Sequence, residues 1–413
     1  MKNLFIITIA SFTPEGGGPT NRFIGMQCKG LLEKGFDVHV IAAYGEDFNT
    51  YLLDKNLKVT QISQSFAVKK FPLSIQRFFS YLMWTMFMLW TATRHRHATW
   101  IINGPALNYS FIIPYTRILG CKTCYIDVDL FWGIHNPVEG SFSKLIRKIV
   151  SKVALVIIAR STNHILLGGT VQLVKYFQNL APHAQISQAW PPTDIPLFAS
   201  GNGERGRKTF SIDKEDFLIV YSGSVCVREG IHILLKAFAT IIKEAPLSQL
   251  FIAGKIPPED GYLPWLDSGV IDFKEMAKTL GISGKITFSG MLEKEDLIDI
   301  LNAADVLVMP KIDHQYNAVA MPIKVGEYLA TANPFVSSNI CDLDKYFIDG
   351  KNIQLVEPDN PDLLSKRILW VYKNRKIARA IGKEGYIKAE EMFNYSCWVA
   401  TLLKAIEFKP SKS

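Results

Sequence analysis

A lysine and a glutamate stand three residues apart after a proline in the C-terminal half of the sequence. Pro322 fits the first turn of a helix, so Lys324 and Glu327 would lie on one helical face, near the end where backbone N–H groups are free. There a carboxylate can accept hydrogen bonds from two hydroxyl groups of a ribose, and an ammonium group can contact a phosphate. A nucleotide site and a surface ion pair are both possible, and the spacing by itself favours the ion pair.

Glycines follow a predicted strand in each half of the chain. Gly16 and Gly17 come after the first strand, and Gly223 precedes Ser224 after a later one. Glycine lets the backbone approach a ligand closely, and the helix that follows each loop offers N–H groups to phosphate. We expect an anion to bind at these loops, with a tight turn and a helix cap as the alternatives.

Two aspartates lie at the end of another predicted strand. Asp127 and Asp129 occupy alternate positions, so their carboxylates point the same way and can bind substrate hydroxyl groups or a metal ion. No further acidic or histidine cluster accompanies them in the sequence. Hydroxyl binding by Asp127 and Asp129 and capping of the loop are the two interpretations, and we expect no metal.

The elements that must position these residues are short apolar runs that alternate with helix-like segments. This pattern is typical of βα units on a parallel sheet. The predicted strands are residues 4–10, 38–42, 100–102, 123–126 and 155–158 in the first half, and 217–221, 250–253, 285–288, 306–309 and 335–337 in the second. The sequence thus predicts an α/β protein with two doubly wound domains.

A segment rich in proline and glycine, residues 190–206, separates the two series of strands, as linkers between domains do. We therefore predict an N-terminal domain over residues 1–199 and a C-terminal domain over residues 200–395. The final segment, residues 396–413, is predicted to be a helix that can pack on either domain, including back on the N-terminal one.

The charge is distributed unevenly along the 413 residues. The net charge is +8; residues 1–199 hold 19 Lys/Arg and 10 Asp/Glu, whereas residues 200–413 hold 27 and 28. A basic first half suits an anionic partner such as a phospholipid surface, and no nucleic-acid motif is present. The six scattered cysteines indicate a reducing compartment rather than a disulfide framework.

Residues 78–93 form an uncharged, aromatic-rich stretch between Arg77 and Arg94. The stretch has 16 residues, fewer than the roughly 20 that span a bilayer as a helix. It can be a buried helix or an interfacial helix that lies in the headgroup layer with cations at its edge.

Eight segments in this order resemble those of the retaining glycosyltransferases of the GT-B fold, in the fourth sequence family. The segments are the loop at 16–18 and residues 30–40, 221–224, 229–238, 251–254, 286–290, 302–310 and 322–330. The resemblance implies two Rossmann-like domains with an interdomain cleft, the second holding a nucleotide-sugar donor and the first an acceptor. It also implies sugar transfer to a glycan or lipid-linked acceptor with retention of configuration, without a metal or a cofactor.

The resemblance assigns the donor-ribose glutamate to Glu327 and the β-phosphate loop to Gly16 and Gly17. Three positions depart from the family pattern: Val319 replaces the earlier glutamate, Ser224 replaces an arginine, and Glu229 replaces a lysine.

The available substitutes for the two missing cations are Arg228, Lys324 and Lys255, which follows Gly254 at a predicted strand end. The alternative interpretation is that Lys255 is an ordinary surface lysine. We expect Arg228, Lys324 and Asp129 to act in catalysis, and Ser224 and Lys255 to join the donor site.

Two other functions fit the same fold. The departures at Val319, Ser224 and Glu229 are compatible with a noncatalytic partner of an active transferase, and a nucleotide-sugar epimerase would share both domains. For a transferase in cell-surface polysaccharide or glycolipid synthesis, the basic first half predicts a cytoplasmic protein, peripheral on the inner face of the cytoplasmic membrane.

Overall fold

The computed structural model describes residues 4–11, 19–44, 57–61, 73–104, 109–127, 142–255, 271–314 and 317–407. The chain forms two compact units. Unit 1 comprises Met1–Pro192 and Tyr395–Ser413, and unit 2 comprises Thr193–Asn394. The division thus falls between Pro192 and Thr193, before the predicted position near residue 200.

Unit 1 contains a parallel sheet in the order β3-β2-β1-β4-β5-β6-β7. Its strands are β1 (Leu4–Ser11), β2 (Asp37–Tyr44), β3 (Leu57–Gln61), β4 (Thr99–Asn103), β5 (Lys122–Asp127), β6 (His164–Leu167) and β7 (Gln185–Gln188). Its helices are α1 (Pro19–Glu33), α2 (Leu73–Arg94), α3 (Tyr109–Ile118), α4 (Phe142–Ser161), α5 (Val171–Leu180) and the C-terminal α15 (Tyr395–Glu407).

The core of unit 1 lies between the sheet and the inner sides of α2 to α5. Trp84, Ile113 and Ile158 join strand residues such as Trp100 and Tyr125 in one buried cluster. Elsewhere in this unit α15 packs against α1, where the rings of Phe23 and Trp398 meet edge to face at 5.9 Å. The C-terminal helix therefore completes unit 1.

One predicted strand is wrong. Residues 155–158 lie within α4, because Leu155, Ile158 and Ala159 recur at helical spacing and all three are buried. The strand of this βα unit is β6, which follows the helix.

Helix α2 has two different sides. Trp84 on the inner side is 2% exposed, whereas Trp90 is 54% exposed. The aromatic stretch is thus buried along one side only. Among the described residues, no helix is both long and apolar enough to cross a membrane.

Unit 2 contains a parallel sheet in the order β10-β9-β8-β11-β12-β13. Its strands are β8 (Phe217–Ser222), β9 (Ser248–Ala253), β10 (Ile286–Gly290), β11 (Val306–Met309), β12 (Phe335–Ser338) and β13 (Gln354–Val356). Its helices are α6 (Ile195–Ala199), α7 (Gly203–Thr209), α8 (Ile231–Glu244), α9 (Phe273–Thr279), α10 (Lys294–Ala303), α11 (Ile323–Ala330), α12 (Leu343–Tyr346), α13 (Pro361–Lys373) and α14 (Arg375–Met392).

The chain enters unit 2 through α6, which explains the early boundary. This helix packs against α11, and the Asn302 amide donates a hydrogen bond of 2.8 Å to the Phe198 carbonyl. All six residues of β8 are buried, as expected for a central strand covered on both faces. Two parallel sheets with flanking helices confirm the predicted fold class.

Candidate functional site

The sheet of unit 2 changes direction between β8 and β11. From β8 the chain adds β9 and β10 on one side, and then returns to add β11, β12 and β13 on the other. In open α/β sheets, ligands bind beyond the carboxyl ends of the strands at such a switch point. The candidate site is therefore the loop after β8, together with the segment after β11 and the start of α11.

The loop after β8 depends on two glycines. Gly223 has φ +140°, and its amide donates to the Ala253 carbonyl at 2.8 Å. Gly230 has φ +76°, and a Cβ added there would lie 1.7 Å from the Pro310 carbonyl oxygen. A side chain cannot fit between the loop and the end of β11, and this close approach brings the neighbouring Glu229 to that strand end.

Glu229 lies at the centre of a group of charged side chains. Its Oε1 accepts from Lys311 Nζ at 2.6 Å, and its Oε2 accepts from Lys324 Nζ at 2.7 Å. Arg228 Nη2 lies 3.5 Å from Oε1, and the Tyr221 hydroxyl oxygen lies 3.3 Å from Oε2. We call these five residues the strand-end cluster.

The strand-end cluster is largely removed from solvent. Glu229 is 4% exposed and Lys311 is 7% exposed. Lys324 Nζ also lies 4.6 Å from the centre of the Tyr221 ring, and the Tyr221 hydroxyl donates to the Ser224 carbonyl at 2.8 Å. Buried charges are tolerated only when they are paired and hydrogen-bonded, and these contacts meet that requirement.

Electrostatics keep the Glu229 carboxylate ionised. Burial alone would raise its pKa, but the charges of Lys311, Lys324 and Arg228 outweigh burial and hold the pKa well below the ordinary value. Burial lowers the pKa of Lys324, and the attraction of Glu229 opposes this change. With the three basic groups charged, one carboxylate leaves two positive charges in excess, so the cluster suits a dianion.

Asn317 orients Lys311. Its side-chain oxygen accepts from Lys311 Nζ at 3.2 Å, while its amide nitrogen donates to the carbonyls of Arg228 at 3.0 Å and Ile312 at 2.9 Å. Asn317 is 3% exposed, so these bonds form in the interior. It therefore fixes the ammonium group of Lys311 relative to the loop that carries Arg228.

The predicted pair on α11 is not a surface ion pair. Lys324 forms its ion pair with Glu229, and Glu327 is buried at 3% exposure one turn further along the helix. Pro322 caps the helix in an extended conformation, one residue before the first turn. The structure therefore brings Lys324 into the strand-end cluster and buries Glu327 in the following turn.

The other predicted residues of unit 2 lie near the same loop. Arg228 is in the cluster, whereas the side chains of Ser224 and Lys255 are exposed. The backbone carbonyls of these two residues accept from the Tyr221 hydroxyl and from the Val225 amide. Gly16, Gly17 and Asp129 lie outside the described residues.

Sequence reasoning missed Lys311, Asn317 and Tyr221. Lys311 had a usable signal. Like Lys255, it lies just beyond the end of a predicted strand, after Pro310. Tyr221 lies in the segment 221–224 that carries the resemblance, but nothing in the sequence singled out its hydroxyl. Asn317 had no signal, because its bond to Arg228 joins distant parts of the chain. Among the described residues, no group of three His, Cys, Asp or Glu side chains could hold a metal ion.

Unit 1 has its own switch point, between β1 and β4. At the end of β4, Asn103 accepts a hydrogen bond of 2.9 Å from the amide of Gln27 on α1, and Gln27 is fully buried. Nearby on β5, the Tyr125 hydroxyl donates to the Asp127 carboxylate at 2.7 Å. Asp127 is thus held inside unit 1.

A comparison with family models matches residues 203–388 to the glycosyl transferases group 1. The match lies within unit 2, which we therefore call the group 1 unit. The resemblance expected from the sequence is confirmed, and the match falls on the unit that carries the strand-end cluster. Val319, Ser224 and Glu229 are departures within this group 1 unit, and the structure places Glu229 in the cluster as the counter-ion of two lysines.

Curated relatives match over part of their length. A D-inositol 3-phosphate glycosyltransferase of Corynebacterium urealyticum is 30% identical over 184 residues, which are 43% of this chain and 41% of the relative. A mannosylfructose-phosphate synthase of Agrobacterium fabrum is 23% identical over 196 residues, which are 47% of this chain and 41% of the relative. The matched part thus spans about two fifths of these relatives.

Solved structures match over nearly the whole chain. Anabaena Alr3699/HepE in complex with UDP and glucose has a TM-score of 0.72 at 14% identity, covering 97% of this chain and 99% of that one. Sucrose-phosphate synthase from Thermosynechococcus elongatus has a TM-score of 0.72 at 16% identity, covering 98% and 97%. The group 1 unit and unit 1 together have the GT-B fold, with two Rossmann-like domains.

Proposed function

We propose that this protein transfers a sugar from a nucleotide-sugar donor to a glycan or lipid-linked acceptor. The observation that carries the proposal is the strand-end cluster, which places excess positive charge at the switch point of a group 1 unit. A nucleotide sugar presents a diphosphate at the bond that breaks, and an anion of that kind complements the cluster.

The proposed donor is a UDP-sugar, because structures of the same fold contain UDP or UDP-glucose. In this assignment Lys324, Arg228 and Lys311 contact the diphosphate. Glu327, one turn after Lys324 in α11, accepts hydrogen bonds from the ribose hydroxyl groups. Ser224 and Lys255 border the loop on the donor side. The family resemblance also assigns the β-phosphate loop to Gly16 and Gly17.

The proposed chemistry places the cations on the leaving group. When the glycosidic bond breaks, its electron pair leaves with the diphosphate, and fixed positive charges stabilise that developing charge. We assign this role to Lys324 and Arg228, without a metal ion and without a cofactor. The acceptor oxygen then bonds to the anomeric carbon with retention of configuration and gives its proton to the departing diphosphate, and Asp129 contacts the acceptor.

Glu229 is compatible with activity in this proposal. It replaces the family lysine, but Lys311 supplies an ammonium group 2.6 Å from its carboxylate. The positive charge is therefore provided from the end of β11 rather than from position 229. This arrangement favours an active enzyme over a noncatalytic partner subunit.

The proposed setting is cell-surface polysaccharide or glycolipid synthesis, with the protein in the cytoplasm and peripheral on the inner face of the cytoplasmic membrane. The excess of nine positive charges in residues 1–199, from 19 Lys/Arg against 10 Asp/Glu, supports an anionic surface as its partner.

Calorimetric titration with UDP tests the donor assignment. Lys324→Met keeps most of the side-chain volume and removes the charge, so UDP should bind at least about tenfold more weakly, since hydrogen bonds to charged groups contribute roughly 1.5 to 3 kcal/mol. Lys366→Met, on the exposed surface of α13, is the matched control and should bind like the wild type. Equal affinity in all three proteins would contradict the assignment.

Glu327→Ala tests the ribose contact and the reaction together. Loss of a ligand to two hydroxyl groups should weaken UDP binding by roughly 2 kcal/mol and leave binding of inorganic diphosphate unchanged. NMR of UDP-glucose without an acceptor is the companion measurement. Appearance of a second nucleotide sugar would indicate an epimerase, and failure of the wild type to bind any nucleotide sugar would indicate a noncatalytic subunit.

A further inference from the structure

The outer side of three helices in unit 1 is apolar. The inner sides of α2, α3 and α4 pack in one core with the sheet, and the outer sides carry large apolar side chains that are 38% to 82% exposed. These are Leu82, Met86 and Trp90 on α2, Phe111 and Ile118 on α3, and Ile149, Val153 and Ile157 on α4.

The exposed side chains form lines rather than isolated spots. On α2 and on α4 they recur every four residues, a spacing that keeps them on one side of a helix. Helix α3 contacts both α2 and α4, so it lies between the two lines. The three helices hold eight of the fourteen large exposed apolar residues of the described chain. We call this surface the α2–α4 face.

The same helices have charge of one sign only. The sequences of α2, α3 and α4 contain no Asp or Glu, and their eight basic residues are Arg77, Arg94, Arg117, Lys144, Arg147, Lys148, Lys152 and Arg160. The Arg94 guanidinium lies over the Trp90 ring at 5.4 Å, next to the apolar line of α2. Cations thus accompany an apolar surface without any carboxylate in these helices to neutralise them.

We propose that the α2–α4 face docks on an anionic phospholipid bilayer. The large apolar side chains would enter the boundary between headgroups and acyl chains, and exposed basic side chains such as Arg94 and Lys152 would contact lipid phosphates. A second copy of the face would bring like charges together, so charge complementarity favours lipid over self-association. This proposal rests on the membrane location in the proposed function and assigns it to particular helices.

The test is co-sedimentation of the full-length protein with vesicles. Binding should require phosphatidylglycerol in a phosphatidylcholine background and should weaken at high ionic strength, because salt screens the cationic contribution. Met86→Ser with Trp90→Ser and Ile149→Ser with Val153→Ser remove apolar area from α2 and α4 without altering charge. Each pair should reduce the vesicle partition coefficient by at least about tenfold.

The matched control changes the same chemistry elsewhere. Ile377→Ser with Ile387→Ser alters two isoleucines on α14 of unit 2, which are 56% and 51% exposed, and should leave vesicle binding unchanged. Lys152→Gln with Arg94→Gln removes exposed charge beside Val153 and Trp90 of the face. This pair should reduce the dependence on phosphatidylglycerol and the sensitivity to salt.

Three results would overturn the proposal. The wild type could ignore anionic vesicles, the face variants could bind as well as the control, or light scattering could show a dimer that the face variants dissociate. Calorimetry with UDP on the same proteins separates the two proposals. Loss of vesicle binding with unchanged UDP affinity concerns the α2–α4 face, whereas vesicle binding without UDP binding refutes the donor assignment alone.

Discussion

The switch points of the two sheets have similar topology and different side chains. In unit 1, Gln27 and Asn103 form a neutral amide pair at 2.9 Å. In unit 2, Glu229 joins Lys311 and Lys324 in a buried ionic group. The topology fixes where a ligand can bind, whereas the side chains decide its chemistry. Neutral amides suit hydroxyl groups, and excess cations suit a diphosphate.

We expect the largest effect from a substitution that disrupts the backbone beside the strand-end cluster. In Gly230→Ala, the new Cβ would meet the Pro310 carbonyl oxygen at 1.7 Å in a residue with φ +76°. Because backbone must move on one side or the other, the free energy of unfolding should fall by about 3 kcal/mol or more. Urea denaturation measures the free energy of unfolding. Gly281→Ala is the control for the effect of φ alone, because Gly281 has φ +70° and open space around the added Cβ.

The next effect comes from the counter-ion. Glu229→Gln leaves Lys311 and Lys324 buried without their carboxylate, which should lower the free energy of unfolding by roughly 3 kcal/mol at neutral pH. UDP should stabilise this variant more than the wild type, since a diphosphate restores negative charge. Thermal denaturation with and without UDP measures both, and an unchanged melting temperature without ligand would contradict the central role of Glu229.

The pH dependence sharpens this prediction. The pKa of Glu229 is lowered in the folded protein, so its contribution to stability is present above the ordinary carboxyl value of 4.5 and is lost as the pH falls below it. Glu229→Gln lacks this titration. The difference in unfolding free energy between the two proteins should therefore shrink as the solution is acidified below pH 4.5, and a constant difference would be inconsistent with an ionised Glu229.

The smallest effect concerns the neutral switch point. Gln27→Met keeps the volume of a fully buried side chain and removes its hydrogen bond to Asn103, so unfolding of unit 1 should become easier by about 1 to 2 kcal/mol. UDP affinity should not change, because the proposed diphosphate contacts of the strand-end cluster lie in unit 2. A large loss of UDP affinity in this variant would remove the contrast between the two switch points.

The sequence predicted the parts of the fold that local pattern controls. Apolar runs became the central strands β1, β2, β4, β8, β9 and β11, because a strand buried on both faces is apolar almost throughout. The run at residues 155–158 was misassigned, since four apolar residues fit a strand and a buried helical turn equally well. The unpredicted strands β3, β6, β7 and β13 lie at or next to sheet edges.

The candidate site was predictable only in part. Lys324, Arg228 and Glu327 could be proposed from helix position and family resemblance. The pairing of Glu229 with Lys311 joins residues 82 positions apart, and no local spacing encodes it. A glutamate in place of a lysine therefore suggested lost function, whereas in the folded chain this glutamate pairs with Lys311 and Lys324.

Because the C-terminal helix packs in unit 1, the two units can be completed at different times during synthesis. Unit 2 is one continuous segment, Thr193–Asn394, whereas unit 1 requires α15 from the far end of the chain. The contact is close, because a Cβ added at Gly30 would lie 2.5 Å from Val399 Cγ2. Synthesis proceeds from the N-terminal side of the chain. Unit 2 can therefore fold before α15, which packs in unit 1, has been synthesised. Although most of unit 1 precedes unit 2 in the chain, unit 1 is thus the later of the two to be completed.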